Sequence, residues 1–232
     1  MVRRRSDTRL ADLVEAASKV FIELGYRRTQ MADVAEELGV AKGTLYLYVE
    51  SKEALFDFVV RHLDGVTSAA SARQPVTTPK KGATLRYVQE RLAREPLIGE
   101  IAEISRRSSR GDVTAELEVV LGNIYDVLAR NRRSIKLADR CAADYPELAD
   151  LWFRGGRVGL VAALEGYLAS RSQRGLRSFP DTAVRTRIVL ETIVFWAVHR
   201  HWDPFPQTTD EATARATVIR FLVAALVDGE KR

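Results

Sequence analysis

The stretch from Met31 to Lys52 constrains this 232-residue chain more than any other. Ala35 and Gly39 are four apart, which puts them one turn apart on the same helix face. Small residues there let a second helix pack closely. Gly39 follows Leu38 as a helix terminator, because a left-handed backbone is open to glycine at little steric cost. Val40 then returns to the core. A second short helix follows, carrying Lys42, Gly43, Thr44, Leu45, Tyr46, Leu47 and Tyr48. Leu45 and Val49 face inward at helical spacing, so Lys42, Gly43, Thr44, Tyr46 and Tyr48 point largely outward. Exposed tyrosines and a threonine on so short a helix have no packing purpose. This is the pattern of a helix-turn-helix whose second helix enters the DNA major groove.

The periodicity around this motif is helical throughout. Leu10, Leu13, Val14, Ala17, Val20, Phe21 and Leu24 form one apolar stripe over about Asp7 to Leu24, and Gly25 ends it. Thr29 or Gln30 starts the next helix. Ser51 caps a fourth helix carrying Leu55, Phe56, Val59, Val60, Leu63 and Val66, which fades near Ser71 to Pro75. The prolines of Gln74–Lys80 mark a loop and the best domain boundary. Beyond it, helices are expected near Ala83–Arg94, Leu97–Arg107, Asp112–Arg130, Ser134–Ala143, Pro146–Arg171, Thr182–His201 and Asp210–Val227. No alternation of period two stands out. The expected fold is all-α. It has a three-helix DNA-binding domain over residues 1–52, a connecting helix to about 73, and a larger helical domain over 74–232.

Composition bounds the function classes. Apolar residues make up 46% of the chain, too many for disorder. No apolar run is long enough to span a bilayer. Met1–Arg5 is not followed by the apolar stretch of a signal peptide, so a cytoplasmic protein is expected. The single cysteine, Cys141, excludes an internal disulfide and reads as a small buried hydrophobe. The net charge of +5 permits nucleic-acid binding without proving it. The clearest basic cluster is Arg3, Arg4, Arg5 and Arg9, an arm able to follow phosphates or reach a minor groove, or else a frayed terminus.

The second half offers weaker signals. Trp152, Phe153, Tyr167, Phe195, Trp196 and Trp202 could line a ligand cavity or simply pack a core. The candidates taken from this set, with the neighbouring His199, are Trp152, Phe153, Phe195, Trp196 and His199. Gly155, Gly156 and Gly159 are costly within a helix and suggest a kink or a close neighbour. His199 and His201 are two apart and point to different sides, so no metal set is expected. Arg106, Arg107 and Arg110 read as a solvated helix end, with an anionic ligand as the alternative. The last two helices have wide apolar faces, suited to a four-helix bundle between two copies. The candidate interface residues are Ile188, Thr192, Val218, Phe221, Leu222 and Ala225, and completion of the monomer core is the alternative.

The run Phe21–Phe56 resembles the N-terminal domain of the tetracycline-repressor (TetR) family. Gly25, Thr29, Val34-Ala35, Gly39-Val40, Gly43-Thr44-Leu45-Tyr46 and Ser51-Lys52-Glu53 carry the resemblance, which covers roughly the first sixty residues. It implies a homodimeric regulator, most often a repressor, whose larger domain binds an unidentified small molecule. It places Thr29 and Gln30 against the DNA backbone and Lys42, Gly43 and Thr44 at base edges. Tyr46, Leu47 and Tyr48 complete the contact surface, and Lys52 lies at a helix start that suits phosphate. Ala41 stands where a capping serine is common, Ala32 where a longer polar side chain is common, and Leu47 where tyrosine or histidine is frequent. The expected partner is a near-palindromic duplex operator with half-sites about 34–36 Å apart. No cofactor, metal, membrane partner or catalytic set is expected. A ligand-independent helix-turn-helix protein is the alternative, and an all-helical enzyme a remote one, since the phosphate-loop and nucleophile motifs are missing.

Overall fold

In the computed structural model, the described residues are 2–63, 72–107, 111–205 and 207–228, with side chains described from Arg9 onward. The side chains of Arg3, Arg4 and Arg5, and Arg110 and Val66, therefore lie outside the described part. The helices are α1 (Val2–Leu24), α2 (Met31–Glu37), α3 (Lys42–Leu45), α4 (Lys52–His62), α5 (Ala83–Arg94), α6 (Leu97–Arg106) and α7 (Val113–Arg130). They continue with α8 (Arg132–Cys141), α9 (Pro146–Ala149), α10 (Val158–Ser170), α11 (Thr182–Ala197) and α12 (Glu211–Leu226). No strand forms among the described residues, and only the isolated pairings Val49 with Val76 and Leu176 with Val227 bring extended segments together. The expected all-α class holds.

Two compact units divide the chain. One contains Met1–Arg94 and Arg133–Gly155, the other Glu95–Arg132 and Gly156–Arg232. The loop at Gln74–Lys80, expected at the boundary, lies inside the first unit. There Val76 N donates to Tyr48 O at 2.7 Å and Glu50 N donates to Val76 O at 3.0 Å. Thr78 N donates to the Glu50 carboxylate, and its hydroxyl meets that of Ser51. Prolines kept this segment out of a helix, but polar groups on both sides bind it back to the head.

The first unit is built on the α1 stripe. Leu10, Leu13, Ala17 and Phe21 are fully buried against α2 and α4, where Val34, Leu55 and Val59 are equally sealed. The end of α8 and the segment after it close over the turn between α1 and α2. Phe21, Tyr26, Phe56 and Tyr145 form an aromatic cluster, with the Tyr26 and Phe56 rings 4.9 Å apart. Cys141 is buried as expected, and burial together with the charge of Asp144 pushes its thiol up to about 12. On α4, Asp57 accepts from both Arg61 and the buried Thr84, which fixes α5 to α4.

The second unit packs α10 on α6 and sets α7 against α11 and α12. A Cβ at Gly159 would come within 3.2 Å of the Ile98 side chain, so glycine permits the close approach of α10 to α6. The single helix expected over Pro146–Arg171 is instead interrupted by a π-helical stretch, Asp150–Arg157, that takes in Gly155 and Gly156. The kink anticipated from these glycines is thus a widened turn, a form that stores a local break without ending the helix. Likewise Thr182–His201 splits into α11 and a 3-10 turn at His199–Trp202.

Charged side chains join the helices of this unit. The buried Arg171 donates to Glu116 at 2.6 Å and to the Ile104 carbonyl at 2.7 Å, tying α10 to α7 and to the end of α6. Glu211 at the start of α12 receives Tyr125 at 2.7 Å, and Arg132 and Arg200 at 3.0 Å each. His201 joins this group through Arg132. Among the described residues no cluster of His, Cys, Asp and Glu could hold a metal ion, and no helix is long and apolar enough to cross a membrane. Two interface candidates are corrected. Val218 and Leu222 are 4% and 2% exposed, so they belong to the protomer core. The reason is geometric: α12 turns that side to α7 and α11.

Candidate nucleic-acid interface

The turn between α2 and α3 follows from its backbone chemistry. Gly39 has φ +70°, a conformation costly for any residue with a Cβ. Its N–H bonds Glu36 O at 3.0 Å, and Val40 N bonds Ala35 O at 2.9 Å. These two bonds are a Schellman motif, which satisfies the last carbonyls of α2. The expectation that Gly39 also permits close packing does not hold. Nothing lies within 4 Å of the position a Cβ would take, so glycine is needed there for conformation alone. At the other end of α2, the Asp33 carboxylate accepts from Gln30 N at 2.7 Å and fixes the helix start.

The helix α3 spans only Lys42–Leu45, and the chain continues in turns through Tyr48. Ala41 provides no side-chain cap, as its identity requires. Leu45 and Val49 are fully buried and anchor the segment from beneath. Lys42 and Gly43 are exposed, Thr44 is half-buried, Tyr46 is 43% exposed and Leu47 is 69% exposed. Nothing lies within 4 Å of a Cβ placed on Gly43, so the backbone there is open to an incoming molecule. Of the outward set expected from the spacing, Lys42, Gly43 and Tyr46 are exposed and Thr44 and Tyr48 are half-buried, while Leu47 is exposed as well. Tyr48 is half-buried, and its hydroxyl oxygen accepts from Arg9 Nη1 at 2.8 Å.

Three neighbouring expectations fare differently. Gln30 is exposed at the start of α2, as expected. Thr29 is 1% exposed, and its hydroxyl donates to Gly25 O at 2.7 Å. Its side chain closes the preceding turn and is not available to a duplex. Lys52 is also engaged internally. Its ammonium donates to Tyr26 O at 3.1 Å, Arg27 O at 3.2 Å and Thr29 O at 3.1 Å, and it lies 4.8 Å from the centre of the Tyr26 ring. An ammonium has three donors, and each has a carbonyl. Lys52 therefore holds the α1–α2 turn, with little left to offer a phosphate.

Sequence reasoning missed the far side of that turn. Asp144 accepts from Arg27 N at 2.8 Å, and Arg140 donates to Glu23 O at 2.9 Å. Gly25, at φ +83°, leaves the space Asp144 occupies, since a Cβ there would come within 3.0 Å of the carboxylate. The turn that leads into α2 is thus clamped between α4 and the segment following α8. The partners are separated by more than a hundred residues, and no local pattern announces them. The aromatic candidates of the body separate between the units. Trp152 and Phe153 belong to the first, where Trp152 donates to Asp139 at 2.6 Å. Phe195, Trp196 and His199 belong to the second, where the Phe195 and Trp196 rings meet edge to face at 5.7 Å.

Residues 13–59, which contain α2, α3 and the turn between them, match the model for bacterial regulatory proteins of the tetR family. The head is therefore similar to the DNA-binding domain of the TetR family. It is 38% identical over 60 residues to the HTH-type transcriptional regulator YfiR of Bacillus subtilis, a match spanning 26% of this chain and 29% of that protein. Longer matches, each 25% identical and covering 69% of this chain, are to the activator FasR of Mycolicibacterium smegmatis and the repressor KstR2 of Rhodococcus jostii. They cover 80% and 88% of those proteins. The fold is that of KstR2 of Mycobacterium tuberculosis, with a TM-score of 0.57, 15% identity, and 95% of this chain and 96% of that one covered. These relatives are transcriptional regulators.

Proposed function

We propose that the chain is a transcriptional regulator, most simply a repressor, that binds a near-palindromic operator as a homodimer and responds to a small molecule bound by its second helical unit. The observation that carries this reading is the surface of Lys42, Gly43, Tyr46 and Leu47, exposed above the buried anchors Leu45 and Val49. Gln30 and Thr44 flank it. Lys42 supplies charge for phosphate, and Thr44, Tyr46 and Leu47 supply the polar and apolar groups that read base edges and thymine methyls. Thr29 and Lys52 act behind that surface by shaping the turn that carries it.

Dimerisation is supported by apolar side chains that the protomer leaves uncovered on its last two long helices. Val184, Ile188 and Phe221 are 54%, 60% and 66% exposed. Thr192 and Ala225 fall at helical spacing from them. Burial of such a face by a second copy would remove a large apolar area from water. Two heads held this way would meet half-sites one helical turn apart. An effector acts only by favouring one head separation over another. Phe195, Trp196 and His199 are the residues of the second unit that we assign to it.

Selection of bound sequences from random duplex DNA tests the reading. The expected product is a pair of inverted half-sites. Recovery of no enriched sequence at modest salt would refute it. Titration of candidate effectors against the recovered operator then separates a ligand-responsive regulator from a ligand-independent one.

A further inference from the structure

The bond between Arg9 and Tyr48 joins residues 39 positions apart on the exposed side of the head. A guanidinium has donors only, so the tyrosine oxygen must be the acceptor. The hydroxyl proton of Tyr48 is then turned away from Arg9. The pair presents one O–H and the remaining guanidinium N–H groups, so donors predominate. Such an array fits an oxyanion and repels a donor.

Among the described residues the charge of Arg9 also meets no carboxylate, and the arginines bound to carboxylates elsewhere in the chain, such as Arg171 and Arg215, show the contrast. Arg9 lies on α1 four residues after Arg5, and Leu10 beside it is fully buried, which fixes the backbone of Arg9. Tyr48 is fixed in turn. Its N–H bonds Leu45 O, its carbonyl receives Val76 N, and the buried Val49 follows it. Two rigid backbones thus carry one long side chain and one short one that meet at their tips. A free arginine loses much rotamer freedom when it contacts a phosphate. One already held by a hydroxyl loses less, which is the benefit of preorganisation.

We propose that Arg9 contacts a backbone phosphate of the bound duplex and that Tyr48 is its positioning residue, the pair acting as a single phosphate clamp beside the reading surface. This rests on the DNA-binding reading of the head. It assigns Tyr48 to the DNA backbone, where it fixes the register of the protein without reading sequence.

The test is the salt dependence of binding to a mixed-sequence duplex by the full chain, for wild type, Arg9→Gln, Tyr48→Phe and the double variant. Each phosphate contact contributes about 0.9 to the slope of log affinity against log salt. Arg9→Gln is expected to lower that slope by about one unit. Tyr48→Phe keeps the ring and is expected to weaken binding several-fold. The double variant should be no weaker than Arg9→Gln alone, because the two side chains act through one contact. Thermal unfolding should be unchanged in Arg9→Gln. Binding by wild type with an unaltered slope in Arg9→Gln, or strictly additive losses in the double variant, would overturn the clamp alone. A wild-type chain that ignores the duplex would overturn the DNA-binding reading and the clamp with it.

Discussion

Lys42 opens α3 and Arg171 caps the end of α10, and these two cations sit in opposite circumstances. Lys42 is exposed at the start of α3 and has no partner among the described residues. Arg171 is 2% exposed and donates to Glu116, to Ser170 and to the carbonyls of Ile104, Ser105 and Arg107. The same contrast runs through the two units. On the reading surface, charge and hydroxyl groups are left free for a partner. In the second unit, Arg171, Arg200 and Arg215 are bound to carboxylates and fasten one helix to the next. A positive charge therefore says little about DNA until its bonds are known. Lys52 makes the point inside the head itself, because it lies among the expected contacts and is engaged by three carbonyls.

The comparison can be broken most forcefully at Arg171. Arg171→Leu takes the guanidinium from the half-buried Glu116 and from the carbonyls of Ile104, Ser105 and Arg107, and loss of one member of a buried pair costs about 3–5 kcal/mol. The midpoint of urea unfolding should fall accordingly. Lys52→Met comes next, with an expected loss of about 1–3 kcal/mol from carbonyls left unsatisfied, read in the same measurement. Equal stability in either variant would mean that these cations are not the fasteners described. A smaller effect is expected with pH. Burial lowers the pKa of His201 below its usual 6.5, and the charges of Arg132 and Arg200 add to that, while Glu211 opposes them. The folded state thus binds the proton less readily than the unfolded chain. Stability from this group is present above pH 6.5 and is lost as pH falls through the lowered folded value. Unfolding midpoints measured between neutral and mildly acid pH should decline, and the decline should be shallower in His201→Gln. Smallest of all, Lys42→Ala should move stability by no more than about 0.5 kcal/mol.

The legible parts of the molecule were those whose constraints are local. The stripe of Leu10, Leu13, Ala17 and Phe21 and the anchors Leu45 and Val49 follow from helical spacing, and Gly39 from the left-handed turn that only it tolerates. The Ser51 cap belongs with them, since its hydroxyl accepts from Ala54 N at 3.0 Å. What spacing could not supply was the partner of a side chain that can reach several ways. Lys52 could serve a phosphate or a turn, and its choice depends on where Tyr26, Arg27 and Thr29 leave their carbonyls. Val218 and Leu222 lie on an apolar face wide enough for either a core or an interface, and only the packing of α7 and α11 decides between them. The clamp of Asp144 on the α1–α2 turn joins distant segments through a backbone N–H, a group every residue carries.

On this reading Lys42 is open to the duplex, while Lys52 is taken up by the α1–α2 turn. Measuring the salt dependence of duplex binding for Lys42→Ala and Lys52→Met side by side tests it directly. The slope should fall by about one unit for Lys42→Ala and stay at the wild-type value for Lys52→Met. A fall in slope for Lys52→Met, with Lys42→Ala unchanged, would contradict the account.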